Sequence, residues 1–332
     1  MKTYAFELSG EHESLPRCEA LALVEAFSTR FSEVEFLEQC LIVETEGLDV
    51  EALGLRLAMT HRIIEVLAVC PADLEALAEA ASCLQLPPKK YLIRARRIRD
   101  SAPPADAVEH EVGKILFRRG YRADLSHPEL LLRAVITSGK IVLGLEVART
   151  DRSSFEARRP HLKPFFHPGV LMPRMARSLV NLTQVRAGEI LLDPFAGTCG
   201  ILIEACLIEV NGVGIEVQPS LVRGARCNLK GLDCGLLLGD AKRLPLKDAS
   251  IDAAVLDTPY GRSAKIMAAS KELLLRESLG ELFRVIRPGR RMAIVADRSI
   301  EEMIEEVGFV LLQKHTDRVH RSLTRQIFIC GR

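Results

Sequence analysis

Glu189-Ile190-Leu191-Leu192-Asp193-Pro194-Phe195-Ala196-Gly197-Thr198-Cys199-Gly200-Ile201-Leu202-Ile203-Glu204-Ala205-Cys206-Leu207-Ile208 reads as a short buried strand, a glycine turn and an apolar helix. That order is the opening unit of a doubly wound α/β sheet. Further along, Asp257-Thr258-Pro259-Tyr260 follows a second apolar run, Ile251-Asp252-Ala253-Ala254-Val255-Leu256. Ligands in open α/β sheets collect beyond the carboxyl ends of the strands, so the fold is expected to bring the Asp193 turn and the Asp257 segment to one place.

Two more strand ends lie between them. Gly212-Val213-Gly214-Ile215 ends in Glu216, and Leu236-Leu237-Leu238 leads to Gly239-Asp240-Ala241. An acid at the end of each of three strands suits S-adenosylmethionine, which presents a cationic sulfonium and ammonium, two ribose hydroxyls and an adenine amine. Asp193 meets the cationic tail, Glu216 accepts from the ribose and Asp240 from the adenine amine. Gly197 and Gly200 let the backbone approach closely. The candidate cofactor residues are Asp193, Phe195, Ala196, Gly197, Thr198, Gly200, Glu216, Val217, Asp240 and Ala241. A dinucleotide is the rival ligand, but its fingerprint needs Gly-x-Gly-x-x-Gly, and only Gly-x-x-Gly stands here.

The pairing of this turn with Asp257-Thr258-Pro259-Tyr260 resembles the S-adenosylmethionine-dependent amino-methyltransferases, which carry Asp-Pro-Pro-Tyr or Asn-Pro-Pro-Tyr at the target amine. Thr258 stands where the first proline would be. An exocyclic purine amine is a poor nucleophile because its lone pair is delocalised into the ring. Acceptors on both amine hydrogens, the Asp257 carboxylate and the Thr258 carbonyl, draw the nitrogen toward tetrahedral geometry. Pro259 stiffens the turn and Tyr260 stacks on the flipped base. No cysteine lies between 235 and 329 to act as the nucleophile that carbon methylation of pyrimidines requires.

Composition sets the frame. A chain of 332 residues with 48% hydrophobic residues has material for two or three domains. No apolar run approaches a membrane span and the N-terminus lacks a signal pattern, so a cytoplasmic protein without membrane attachment is expected. Nine cysteines show neither Cys-x-x-Cys pairs nor zinc spacing, which reads as reduced, mostly buried thiols and no metal. The net charge of +1 decides nothing about nucleic acid, but its distribution is uneven, with residues 1–60 acidic and the cations later.

Short strands alternate with amphipathic helices over 1–86, the pattern of a ferredoxin-like α+β domain. The expected elements include a helix near Leu15–Phe27, a single strand near Phe36–Glu44, a helix near Val50–Met59 and a helix over Asp73–Leu84. From Lys89 the character changes: Lys89, Lys90, Arg94, Arg96, Arg97 and Arg99 crowd one strand. A helix near Ala107–Phe117 and a hairpin, Leu131–Thr137 and Ile141–Ala148, follow. This order over 87–150, with His127-Pro128-Glu129 before the hairpin, resembles a THUMP domain, an RNA-binding module of tRNA-modifying enzymes. Residues 151–165 read as a polar linker, and 166–332 as the Rossmann-like methyltransferase domain. The basic strand, with His320, Arg321 and Arg325 near the C-terminus, forms the candidate RNA-contacting set.

His167-Pro168-Gly169 through Ala176-Arg177-Ser178-Leu179-Val180-Asn181-Leu182, the Asp193 turn, Asp257–Ser263 and His320-Arg321-Ser322-Leu323-Thr324-Arg325 together resemble the archaeal tRNA (guanine(10)-N2)-dimethyltransferases. Thr258 and Cys199 depart from that family's usual proline and glycine. The resemblance implies methylation, once or twice, of guanine N2 at position 10 of a tRNA, giving m2G and m2,2G. The expected partner is a tRNA, with the protein itself a monomer and room left for a small activating protein. Residues alone leave two alternatives open: an N-methyltransferase acting on ribosomal guanine N2 or adenine N6, and a non-catalytic THUMP RNA-binding protein.

Overall fold

The computed structural model describes residues 1–259, 268–320 and 323–332. The chain divides into two compact units, Met1–Asp151 and Arg152–Arg332.

The first unit holds one seven-stranded sheet in the order β2-β3-β1-β4-β7-β6-β5. Its elements run β1 (Lys2–Leu8), α1 (Leu15–Phe27), β2 (Arg30–Leu37), β3 (Cys40–Glu46), α2 (Val50–Arg56), β4 (Thr60–Pro71), α3 (Leu74–Cys83), β5 (Tyr91–Arg97), α4 (Ala105–Arg118), β6 (Leu130–Thr137) and β7 (Lys140–Arg149). Asp49 and Asp73 cap α2 and α3 by accepting from the amides of Ala52 and Ala76. Apolar residues of α1 and α2 pack on β1, β3 and β4 through Phe6, Leu23, Leu41 and Leu53. Those of α3 and α4 pack on the β5–β7 end through Leu77, Val112, Leu132 and Leu143.

Three expectations change here. The sheet crosses the expected boundary at 86/87, because β4 pairs antiparallel with β7, so the two stretches share one sheet. The single strand near Phe36–Glu44 is a hairpin that turns at Glu38-Gln39, where Gln39 adopts φ +54. Helix α2 stops at Arg56.

The second unit carries α5 (Arg152–Ala157), a 3-10 turn (Pro160–Leu162), α6 (Pro173–Leu182), β8 (Ile190–Asp193), α7 (Gly200–Cys206), β9 (Asn211–Glu216), α8 (Pro219–Asn228), β10 (Cys234–Leu238), β11 (Ile251–Asp257), α9 (Ala268–Val285), β12 (Ile286–Ala296), α10 (Glu301–Val307), β13 (Val310–His320) and β14 (Leu323–Gly331). Its sheet runs β10-β9-β8-β11-β12-β14-β13. The first five of these strands are parallel, and β14 and β13 close the far edge antiparallel. This is the Rossmann-like methyltransferase fold. Strand order reverses between β8 and β11, and that switch point is where such sheets bind ligands.

The stretch expected as a linker is packed structure. Phe155 is buried, and Arg158 donates to both oxygens of the buried Glu204. A second correction concerns sulfur: Cys206 and Cys234 form a disulfide, so two of the nine cysteines are not reduced thiols. Their separation of 28 residues gave no pattern to read, and adjacency came only from the packing of α7 against β10.

Candidate active site

Asp193 ends β8 with 1% of its surface exposed, and its Oδ1 accepts from the Phe195 amide at 3.1 Å. Burial pushes its carboxyl up to about 8; the nearby carboxylates of Asp257 and Glu216 add to the rise, and the Phe195 amide opposes it. A cation placed among these acids would restore the ionised form.

The turn that follows is shaped by backbone conformation. Gly197 lies at φ +51 and Cys199 at φ +64, the left-handed region. Glycine enters it freely, whereas a residue with a side chain pays roughly 1 kcal/mol or more. Cys199 therefore sits where glycine would be unstrained. It is fully buried, and burial raises its thiol far above the ordinary range, so it packs and does not react.

Glu216 ties two loops together at the end of β9. Its Oε2 accepts from the Gly197 amide at 3.0 Å and its Oε1 from the Gln218 amide at 2.8 Å. Each oxygen retains a lone pair for a ligand hydroxyl. Asp240, after β10, is half-exposed and accepts from the Lys242 amide at 3.0 Å.

Asp257 ends β11, and Thr258 follows it, buried. Both the amide and the hydroxyl of Thr258 donate to the Val295 carbonyl at 2.9 Å. Proline at this position would have no amide to donate. Two hydrogen bonds to β12 thus fix the loop that a proline ring would stiffen.

One cavity of about 600 Å³ gathers the expected cofactor residues, Asp193, Phe195, Ala196, Gly197, Thr198, Gly200, Glu216, Val217, Asp240 and Ala241, with Asp257, Thr258 and Pro259. Tyr260 lies outside the described residues. Sequence reasoning did not assign a wall of this cavity, His167–Leu171, nor Gln218, Leu221 and Leu274. His167-Pro168-Gly169 was the available signal. What holds that wall is non-local: the Phe165 amide donates to Asn228 Oδ1, and Asn228 Nδ2 donates to the carbonyls of Phe165 and Thr198. The Phe165 ring also lies against Gly224 of α8, within 2.4 Å of where a Cβ would stand.

The basic candidates fare unevenly. Lys89 and Arg97 are exposed and have no ion-pair partner among the described residues. Lys90 pairs with Asp124, Arg94 with Glu109 and Arg99 with Glu38, all at the surface. Arg96 turns inward: it donates to the fully buried Glu7 at 2.7 Å and to Gln39 at 3.0 Å. Arg133 holds the same carboxylate through two hydrogen bonds. Together these guanidiniums keep Glu7 ionised against its burial, lowering its pKa. Arg96 is therefore a structural cation, not an open phosphate contact. Arg325 is buried in the terminal hairpin, 3.8 Å from Asp317. The His320 side chain and Arg321 lie outside what the structure describes.

The chain is similar to known proteins in both sequence and fold. The family model described as RMKL-like, methyltransferase domain, matches residues 160–327. The tRNA (guanine(10)-N2)-dimethyltransferase of Methanothermobacter thermautotrophicus is 34% identical over 332 residues, covering 98% of each chain. The protein of that description from Methanocaldococcus jannaschii is 28% identical over 355 residues, again covering 98% of each. The crystal structure of TrmN from Thermus thermophilus superposes with a TM-score of 0.56 at 22% identity, over 99% of each chain, a likeness of fold.

Proposed function

The chain belongs to the tRNA (guanine(10)-N2)-dimethyltransferase family, and on that premise we propose that it methylates the exocyclic N2 amine of guanine 10 in tRNA, giving m2G and then m2,2G. The observation that carries this reading is one cavity lined by Asp193, Glu216, Asp240 and Asp257.

The residues fit S-adenosylmethionine. About 600 Å³ lies within the range of cofactor sites, the acids suit a ligand with a sulfonium and an ammonium group, and the glycine turn leaves room for its tail. When bound, that cofactor supplies a methyl group on a sulfonium that departs as a neutral thioether. The chain's own part is positional. Asp193 balances the cationic tail, Glu216 orients the ribose and Asp240 the adenine. Asp257 and the Thr258 carbonyl accept hydrogen bonds from the N2 hydrogens and make the lone pair available; transfer then depends on in-line placement, and the N2 proton displaced by the methyl leaves to the Asp257 carboxylate or to water. A second cavity of about 630 Å³ shares Phe195, Thr258 and Pro259, which supports it as the side from which the flipped base arrives. We assign stacking on that base to Tyr260.

The first unit, in this reading, contains the THUMP module and docks the tRNA by shape and phosphate contact. Its exposed Lys89 and Arg97 support this, and a chain with 5% aromatic residues has little surface for base stacking. Mass spectrometry of nucleosides from tRNA incubated with the protein and cofactor tests the assignment. N2-methylated guanosine is expected, and a methyl on adenosine or cytidine instead would overturn it.

A further inference from the structure

Lys163 follows the 3-10 turn and sends its side chain toward the start of α7. Its Nζ lies 3.9 Å from the point where a Cβ on Gly200 would stand, the nearest approach by an atom from outside the adjoining chain of α7. Gly200 lines the cofactor cavity. Unlike Gly197, it is not in the left-handed region, so the backbone conformation there does not demand glycine. With no side chain at 200, the Lys163 ammonium stands close to backbone that lines the cavity.

Charge in this region is unbalanced in a way that points to an anion. Among the described residues the cavity wall carries four carboxylates, Asp193, Glu216, Asp240 and Asp257, and neither lysine nor arginine. Those acids answer the cationic groups of the cofactor but repel the carboxylate of its amino-acid tail. Lys163 itself has no carboxylate within 4 Å among the described residues. The nearby Glu204 accepts from Arg158 at 2.8 and 3.1 Å and from Arg177 at 3.0 Å. Partial burial lowers the Lys163 pKa, with Glu204 opposing, so its charged form gains from an anionic partner.

We propose that Lys163 binds the carboxylate of the cofactor's amino-acid tail beside Gly200. This rests on the S-adenosylmethionine reading and adds a residue to it.

Calorimetric titration with two ligands tests it: S-adenosylhomocysteine, which has the carboxylate, and 5′-methylthioadenosine, which lacks the whole amino-acid tail. Lys163→Met is expected to weaken S-adenosylhomocysteine by about tenfold to a hundredfold, the usual worth of a hydrogen bond to a charged group, and to leave 5′-methylthioadenosine unchanged. Lys163→Arg recovers part of the loss, and Gly200→Ala, which sets a methyl beside the ammonium, reproduces the selective loss. An equal loss for both ligands would assign Lys163 a packing role, and unaltered S-adenosylhomocysteine affinity would remove it from the site; either overturns the proposal. Wild-type protein that binds neither ligand would instead refute the cofactor reading, and this proposal with it.

Discussion

Asp193→Asn exchanges cofactor affinity for stability, and its effect has a distinctive pH signature. The Asp193 carboxyl titrates near 3.8 in the unfolded chain and at about 8 in the folded one, chiefly because it is buried. At pH values below 3.8 both states hold the proton and the group costs nothing. As pH rises toward 8, the unfolded chain releases the proton while the folded protein keeps it, so stability falls. Above 8 both are ionised and the full cost remains. The difference, 8 − 3.8 or about four units, sets a ceiling of roughly 6 kcal/mol at 1.4 kcal/mol per unit. Asparagine can still accept from the Phe195 amide without carrying the charge. Urea unfolding of both ligand-free proteins from pH 5 to 9 measures the effect. The variant's advantage is expected to grow to pH 8 and then level off, while its affinity for S-adenosylmethionine falls about a hundredfold. An advantage that stays constant from pH 5 to 8 would refute the reasoning, because it would mean that Asp193 titrates alike in both states.

Other variants separate chemistry from architecture. Asp257→Ala is expected to lower methyl transfer by a hundredfold to a thousandfold, on the scale of losing one transition-state acceptor, with tRNA affinity within about twofold in a filter-binding assay. Cys199→Ala keeps transfer in a single-turnover assay and costs about 1 kcal/mol in urea unfolding, since the buried thiol is packing and alanine inherits the left-handed strain. Glutamate at both Lys89 and Arg97 weakens tRNA binding and flattens its dependence on salt at unchanged stability. Arg96→Glu instead lowers stability by about 3–5 kcal/mol, read from the thermal midpoint, because it faces the buried Glu7 with a like charge.

Local signals were legible and distant ones were not. The Asp193 turn, the acids at 216 and 240 and the Asp257 segment could be read because each follows a short apolar run that ends in turn-forming residues. The hairpin of β6 and β7 announced itself through Ser138-Gly139. Glu38-Gln39 carries no glycine, asparagine or proline, so the expected strand Phe36–Glu44 ran through the turn and most of β2 went unread. Residues 151–165 lack periodicity because what orders them is distant in sequence: Glu204 for Arg158 and Asn228 for Phe165. Arg96 looked like its neighbours in a basic run, and only the fold reveals that Glu7, 89 residues earlier, is its partner. Thr258 read only as a departure from proline, and the position of Val295 supplied its two hydrogen bonds.

The central claim is that an acid-lined cofactor cavity adjoins a carboxylate-and-carbonyl grip on an exocyclic amine. Its most direct test is transfer of a labelled methyl group to two tRNA transcripts that differ only at nucleotide 10, one with guanosine and one with inosine, which lacks the N2 amine. Incorporation into the guanosine transcript and none into the inosine transcript is the predicted result. Equal incorporation into both would contradict the account.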